Sequence, residues 1–217
     1  MLQILYENLI ADGAYRYFLS GLGVTLCIII TGLGIGTIAG AILCAMSHSR
    51  FPLLRFFARV YFLLMSGTPV LLLLTLFYYV VLVPFGIDAL GTSMIVFGLR
   101  SGALIGEIMR NALNSVDRGQ IQAARTLGFS GTGAFLYVTL PQAIRFGKPL
   151  YRYSAVTLVQ DTSVVGYITV SDLTRIVSNM GSRTGNPFLA IVAGIILYLL
   201  LSWIVSLCFS TKPRRRG

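Results

Sequence analysis

Four ionisable side chains lie inside segments that are otherwise apolar: Arg100, Glu107, Arg152 and Asp161. A charge in an apolar environment is costly unless it is paired or faces water, so each is a candidate functional residue. One interpretation is a polar path in which Arg100 contacts a substrate carboxylate and Asp161 or Glu107 contacts an ammonium group. The other is two interhelical ion pairs, Arg100 with Asp161 and Glu107 with Arg152. The sequence leaves both open.

Metal and nucleophilic chemistry have few candidate residues in this chain. His48 is the only histidine, and the three cysteines, Cys27, Cys44 and Cys208, lie within or beside apolar runs. An odd, dispersed set of this kind indicates small apolar residues rather than disulfides or metal ligands. No glycine-rich phosphate-binding motif occurs. We therefore expect no catalytic residue, metal or cofactor on this chain, which argues against a membrane-integral hydrolase.

The elements that position the four charged residues follow from composition. Of the 217 residues, 56% are hydrophobic and only 11% are charged, and the mean hydropathy is +0.82. A soluble domain has about 25% charged residues. The chain is therefore expected to be a single all-α, polytopic membrane domain over residues 1–217.

Apolar runs of membrane-spanning length occur five times. A bilayer core about 30 Å thick needs roughly 20 helical residues. The sequence therefore predicts five transmembrane helices, at about 19–46, 54–83, 90–114, 142–168 and 187–209. The first is rich in glycine, which lets neighbouring helices approach closely, so it is interpreted as a packing helix.

The second predicted span is interrupted by Gly67, Thr68 and Pro69. Proline removes a backbone donor and clashes with the preceding turn, so a kink or a pair of half-helices is expected. The freed backbone groups need partners from Thr68, a neighbouring helix or water, because lipid offers none. This requirement places the segment beside the path rather than against lipid.

Orientation follows from the distribution of basic residues. By the positive-inside rule, loops rich in Arg and Lys are cytoplasmic, so the N-terminus is expected outside and the C-terminus inside. The net charge of +10 is then explained by topology, and no nucleic-acid partner is expected. The basic residues on the predicted cytoplasmic side are Arg50, Arg55, Arg59, Arg110, Arg118, Arg125, Arg145, Lys148, Lys212, Arg214, Arg215 and Arg216.

The cytoplasmic loop at about 115–141 has a pattern of its own. A short helix is predicted to end at Gly128 in a left-handed or turn conformation, and a second short element to be stopped by Pro141. Ala123 and Ala124 are predicted to form a flat patch suited to docking against another protein.

This loop resembles the signature of the permease subunits of ATP-binding-cassette importers: Glu-Ala-Ala, three residues, Gly, nine residues, Ile-x-Leu-Pro. Here Gln122-Ala-Ala, three residues, Gly128, nine residues and Val138-Thr-Leu-Pro141 keep that spacing, with Gln122 in place of Glu and Val138 in place of Ile. Further segments are similar to the polar amino-acid group of that family, and the resemblance extends over about 21–179. These segments are Ser66–Leu72, Glu107–Leu113, Asp117–Gln120 and Asp161-Thr162-Ser163.

The resemblance implies the type I importer permease fold in a bacterial inner membrane. It implies a translocation path for a polar amino acid, driven by ATP hydrolysis on partner subunits. The partners would be two cytoplasmic ATPases that bind ATP and Mg, a second permease subunit, identical or homologous, and an extracytoplasmic amino-acid-binding protein. The alternatives are an importer permease for another small polar solute, or a passive membrane channel.

Candidate residues fall into two sites, the first assigned by the resemblance and the second by the charges inside apolar segments together with the Asp161-Thr162-Ser163 match. The ATPase-coupling residues would be Gly119, Gln120, Gln122, Ala123, Ala124, Arg125, Gly128, Leu140 and Pro141. The path, or the intramembrane ion pairs, would comprise Arg100, Glu107, Arg152, Asp161, Thr162 and Ser163.

Overall fold

The computed structural model describes residues 14–209, and within that range it contains helices and no β-strand. Residues 1–13 and 210–217, which hold both predicted chain ends, lie outside the described residues. The helices are α1 (Ala14–Ser47), α2 (Pro52–Gly67), α3 (Val70–Leu76), α4 (Ala89–Asn114), α5 (Arg118–Thr126), α6 (Gly131–Ala134), α7 (Leu140–Asp161), α8 (Leu173–Thr184) and α9 (Pro187–Cys208).

Short π- and 3-10 segments extend three of these helices. A π-helix (Phe77–Leu82) and a 3-10 turn (Val83–Phe85) continue α3, and a π-helix (Phe135–Thr139) joins α6 directly to α7. A 3-10 helix (Thr162–Ile168) follows α7 without a break. Residues 131–168 therefore form one continuous helical stretch with three changes of pitch.

Within residues 14–209, three helices are long and apolar enough to cross a membrane: α1, α4 and α9. The pair formed by α2 and the α3 stretch passes the same test as a fourth span, bent by 106°. Helix α7 has 22 residues but carries Arg145, Lys148, Arg152 and Asp161. It falls short of the apolar character of a span, so the count of five and the orientation stay predictions.

The principal helix pair is α1 with α4, which meet along small residues. A Cβ atom on Gly40 would lie 2.9 Å from the backbone nitrogen of Gly106, and one on Gly36 would lie 2.6 Å from Cβ of Ser101. Such contacts require glycine, because nothing in the facing backbone can move aside. The glycine-rich first span therefore packs closely against a neighbour, as predicted.

The largest buried cluster lies beside this seam. Ile28 of α1, Leu74 of α3, Phe97 of α4 and Val159 of α7 are each fully buried and belong to one hydrophobic cluster. Their burial ties the bent second segment and α7 to the α1–α4 pair. This arrangement sets the positions of Arg100 on α4 and Asp161 at the end of α7.

Helix α8 was not predicted from the sequence. Its N-cap is Asp172, which is fully buried and accepts hydrogen bonds from the backbone N–H groups of Thr174 (3.1 Å) and Arg175 (3.0 Å). Burial raises the pKa of the Asp172 carboxyl, and these hydrogen bonds oppose the shift. The available signal was the Asp172-Leu-Thr-Arg start, which is typical of a capped helix.

The seam between α1 and α4 can be tested with two alanine variants of α1. Gly40→Ala places a methyl group against the Gly106 backbone, whereas Gly34→Ala meets nothing within 4 Å. We expect Gly40→Ala to lower the free energy of unfolding by about 1–3 kcal/mol. Gly34→Ala is expected to be neutral or stabilising by about 0.5–1 kcal/mol. Thermal unfolding in detergent measures both, and equal midpoints for the two variants would show that the seam is not tightly packed.

Candidate functional site

The break between α2 and α3 leaves two backbone carbonyls without helical partners. Pro69 has no N–H group, so the carbonyl of Met65, four residues earlier, loses its donor. The N–H of Leu72 bonds to the carbonyl of Pro69 at 3.1 Å, three residues back. The carbonyl of Thr68 is therefore also left for another donor. The break thus creates an acceptor site that needs a donor from elsewhere in the fold.

Arg100 of α4 occupies that acceptor site. Its Nη1 donates to the carbonyl oxygens of Met65 and Thr68, each at 3.0 Å. Its Nε donates to Oδ2 of Asp161 at 3.1 Å, and the two side chains are 24% and 22% exposed. One guanidinium therefore joins the break at Pro69, the middle of α4 and the end of α7.

The ion pair of Arg100 with Asp161 is one of the two pairs considered from the sequence, and the structure contains it. Both partners remain partly exposed, so the pair is reachable from outside the chain. The geometry accounts for the charge of Arg100 without a substrate. Its role in a path stays a prediction.

The second pair considered from the sequence, Glu107 with Arg152, is absent among the described residues. Helical phase explains the error. Glu107 follows Arg100 by seven residues, so both lie on one side of α4, within about 20°. Arg152 precedes Asp161 by nine residues, which puts it about 180° away on α7. Accordingly, Arg152 is exposed and Glu107 is half-buried. The two residues lie at similar depth, but they do not lie on helix faces that meet.

The segment Asp161-Thr162-Ser163 does not form one cluster. Asp161 bonds to Arg100, whereas Thr162 is fully buried and its hydroxyl donates to the carbonyl of Val159 at 2.7 Å. Ser163 lines a cavity of about 510 Å³ between α8 and α9, away from Arg100, and Thr174 also lines this cavity. The three residues therefore face three environments, and only Asp161 reaches the Arg100 site.

A hydroxyl network around Asp172 was missed by sequence analysis. The Tyr198 hydroxyl lies 2.7 Å from Oγ1 of Thr174 and donates to Oδ2 of Asp172 over 3.5 Å. Oγ1 of Thr25 accepts from the N–H of Leu173 at 3.2 Å. These bonds join α1, α8 and α9. The residues are isolated polar positions in apolar stretches, so nothing in their spacing indicates that they meet.

The loop at 115–141 begins with α5, whose two ends are both capped. The Asp117 side chain accepts from the N–H of Gly119 at 2.8 Å. At the other end Gly128 has φ of 89°, in the left-handed region that the sequence predicts. The N–H of Phe129 bonds to the carbonyl of Ala124, and that of Gly128 to the carbonyl of Arg125, each at 3.1 Å. This Schellman motif fixes the end of α5.

One face of α5 is open and the other is packed. Ala123 is exposed and Ala124 is buried, so the predicted flat patch of two alanines is wrong, since neighbouring helical residues point about 100° apart. Leu127 is 80% exposed, and Gln122 and Arg125 are exposed beside it. The open face of α5 therefore carries an apolar side chain flanked by polar ones.

Helix α5 is attached to the start of α7. Nε2 of Gln142 donates to Oε1 of Gln120 at 2.6 Å and to the carbonyl of Val138 at 3.1 Å. Leu140 and Pro141 begin α7, so the prediction that Pro141 stops an element is wrong. Proline lacks only an N–H, and the π-helix before it widens the turn where its ring meets the backbone.

The described residues offer no group of three or more His, Cys, Asp or Glu side chains that could hold a metal. His48 sits at the end of α1, where Nδ1 lies 3.0 Å from the carbonyl of Cys44 and Nε2 lies 3.2 Å from Oδ1 of Asn114. The histidine therefore connects the end of α1 to the end of α4.

Residues 32–210 match the family described as binding-protein-dependent transport system inner membrane component. The glutamate/aspartate import permease protein GltK of Escherichia coli is 32% identical over 208 residues, covering 92% of this chain and 93% of that protein. The histidine/lysine/arginine/ornithine transport system permease protein HisM of Salmonella typhimurium is 28% identical, with 99% and 95% covered.

Solved structures share the arrangement of helices. The crystal structure of an amino acid ABC transporter with histidines superposes with a TM-score of 0.81 at 29% identity, covering 90% of this chain and 92% of that one. An inward-facing MetNI methionine ABC transporter superposes with a TM-score of 0.77 at 18% identity, which shows the fold alone.

The three-way contact of Arg100 predicts an order of stability among charge-removing variants. Arg100→Gln leaves the Asp161 carboxylate unpaired and removes two carbonyl contacts, so we expect a loss of about 3 kcal/mol. Asp161→Asn keeps the carbonyl contacts and is expected to lose about 1 kcal/mol. The exposed, unpaired Arg152→Gln is the control, expected within about 0.5 kcal/mol of the parent.

The free energy of unfolding of the purified variants in detergent measures this order of stability directly. Equal stability of Arg100→Gln and Arg152→Gln would contradict a structural role for the guanidinium.

Proposed function

The chain belongs to the family of binding-protein-dependent transport system inner membrane components, and we propose from this that it forms the translocation path of an ATP-driven importer for polar amino acids. The family membership and the all-helical importer-permease fold expected from the sequence are confirmed. As a family member the chain is an inner-membrane transport subunit. The substrate class is supported by relatives named for glutamate, aspartate, histidine, lysine and arginine.

The proposal includes partner subunits. ATP and Mg would bind two cytoplasmic ATPase chains, since this sequence has no glycine-rich phosphate-binding motif. A second permease subunit, identical or homologous, would complete the path. An extracytoplasmic binding protein would deliver the amino acid, in keeping with the family description.

The single observation that carries the mechanism is the linkage of α5 to the rest of the chain. The open face of α5, with Leu127 80% exposed, is available to an ATPase partner. Gln120 is bonded to Gln142 at the start of α7, and the other end of α7 holds Asp161 against Arg100. A displacement of α5 would therefore move α7 and, through Arg100, the break at Pro69.

Alternating access follows from that linkage. When the ATPase subunits close on ATP, the two copies of α5 move with them, and α7 transmits the movement to the Arg100 site. The α2–α3 break then opens or closes the path on alternate sides of the membrane. Hydrolysis returns the assembly to its starting state.

Proteoliposomes that contain the assembled complex test this function. We expect uptake of a polar amino acid that requires ATP on the ATPase side, together with ATP hydrolysis stimulated by the loaded binding protein. A flux that persists without ATP, with no stimulation by any binding protein, would indicate a passive channel instead.

The coupling role of α5 is tested by Gly128→Val. A β-branched residue at φ of 89° is strained, so the Schellman motif must rearrange and the open face of α5 must shift. We expect uptake to fall at least about tenfold, a factor that corresponds to roughly 1.4 kcal/mol, while the complex still assembles.

Gly185→Val is the matched control, because Gly185 also has a positive φ, of 63°, but ends α8 far along the chain from α5. Its uptake should follow the amount of folded complex. Normal uptake by Gly128→Val at normal expression would refute the coupling role of α5.

A further inference from the structure

A groove of about 960 Å³ opens between the ends of α1 and α4 and the first half of α7. We call it the inner groove. Its walls are almost entirely apolar. They include Ala41, Ala45, Ile108, Ala112, Phe135 and Ile144.

The depth of the inner groove matches one leaflet of a bilayer. On α7 it runs from Leu140 to Tyr151, twelve residues whose ends are about 17 Å apart along the helix. Half of a hydrocarbon core about 30 Å thick is about 15 Å. The groove lies at the helix ends that the distribution of Arg and Lys assigns to the cytoplasm. Its length and polarity therefore suit an acyl chain of the cytoplasmic leaflet.

One edge of the inner groove is basic. Arg145, Lys148 and Arg152 follow one another on α7 at intervals of three and four residues, which places them in one stripe along the helix. All three are exposed, and Lys148 lines the groove itself. None of them forms an ion pair with a described acidic residue. These cations have no counter-ion among the described acidic residues, and they lie beside an apolar groove. A ligand with an anionic group and an apolar tail would match both features.

We propose that the inner groove binds an acidic phospholipid, with an acyl chain along its apolar wall and the phosphate beside Arg145 and Lys148, the two stripe residues nearest the cytoplasmic end of the groove. Basic pockets between membrane helices on the cytoplasmic side are suited to anionic headgroups.

The bound lipid would touch the coupling region. Ile121 of α5 and Phe135 of the π-helix both line the inner groove. The acyl chain would therefore contact the same segment that the ATPase is proposed to move. The evidence for the lipid site is the groove and the basic stripe, so the lipid proposal does not depend on the coupling role of α5.

The test is native mass spectrometry of the complex purified with defined lipid, dioleoylphosphatidylglycerol or dioleoylphosphatidylcholine. We expect the parent to retain phosphatidylglycerol preferentially. Each basic residue near an anionic surface contributes a factor of about five. The double variant Arg145→Gln, Lys148→Gln should therefore lose roughly 25-fold in apparent affinity.

The matched control is the double variant Arg55→Gln, Arg59→Gln, which removes the same charge from exposed positions outside the inner groove. It should retain phosphatidylglycerol as the parent does. Equal losses in the two double variants would reduce the effect to general surface charge and overturn the proposal.

A second pair of variants tests the apolar part with all cations in place. Ala45→Phe fills the inner groove, whereas Ile42→Phe enlarges an exposed side chain of α1 outside it. Lipid retention should fall at least about fivefold in Ala45→Phe alone. Unchanged retention in Ala45→Phe would show that no acyl chain enters the groove.

Cross-linking tests for a second copy in the groove. With the three native cysteines replaced by alanine, Ile144→Cys places a thiol in the groove wall. Efficient disulfide-linked dimers through this position would show that another permease subunit occupies the groove, and would overturn the lipid assignment. Absence of such dimers, together with the lipid loss in Ala45→Phe, supports it.

Discussion

Pro69 cannot donate a hydrogen bond, and the carbonyl groups that it leaves behind determine where Arg100 lies. A guanidinium presents several N–H donors in a fixed plane, so it can bridge two carbonyl oxygens and a carboxylate at once. In this chain it contacts Met65, Thr68 and Asp161. The bent segment, α4 and α7 are thereby held at one point, and the charge of Arg100 is neutralised where lipid offers no counter-ion.

The rest of the fold keeps that point in place. The α1–α4 seam leaves no room for side chains at Gly40 and Gly106, so α4 is held rigidly against α1. At the other end of α7, the bond between Gln142 and Gln120 fixes the position of α5. The chain thus has a closely packed α1–α4 pair, and α7 makes a polar contact at each end, with Gln120 of α5 and with Arg100 of α4. A movement of α5 would therefore displace α7 and the break at Pro69, while the α1–α4 pair stays in place.

Features that depend on one residue or on local spacing were predictable from the sequence. Glycine before proline predicts the break, and Gly128 at the end of an apolar–polar helix pattern predicts the left-handed cap. Features that depend on helical phase between distant segments were not. Glu107 and Arg152 lie at similar depth but on faces that do not meet, and the network around Asp172 joins α1 to α8 and α9, which are far from it in sequence. The sequence also predicts a stop at Pro141, but proline is equally suited to the first turn of a helix, which is where it lies.

The stabilisation of the bend at Pro69 by Arg100 is tested most directly by a distance across the break in lipid. Spin labels at the exposed positions Phe56 and Tyr79, in a background lacking Cys27, Cys44 and Cys208, report the angle by pulsed electron resonance. A bend of 106° places the two backbones about 20 Å apart, whereas a straight helix of the same length places them about 35 Å apart. We expect a narrow distribution near the shorter distance in the parent, and a broad one shifted to longer distances in Arg100→Gln. An identical distribution in the two proteins would contradict the account.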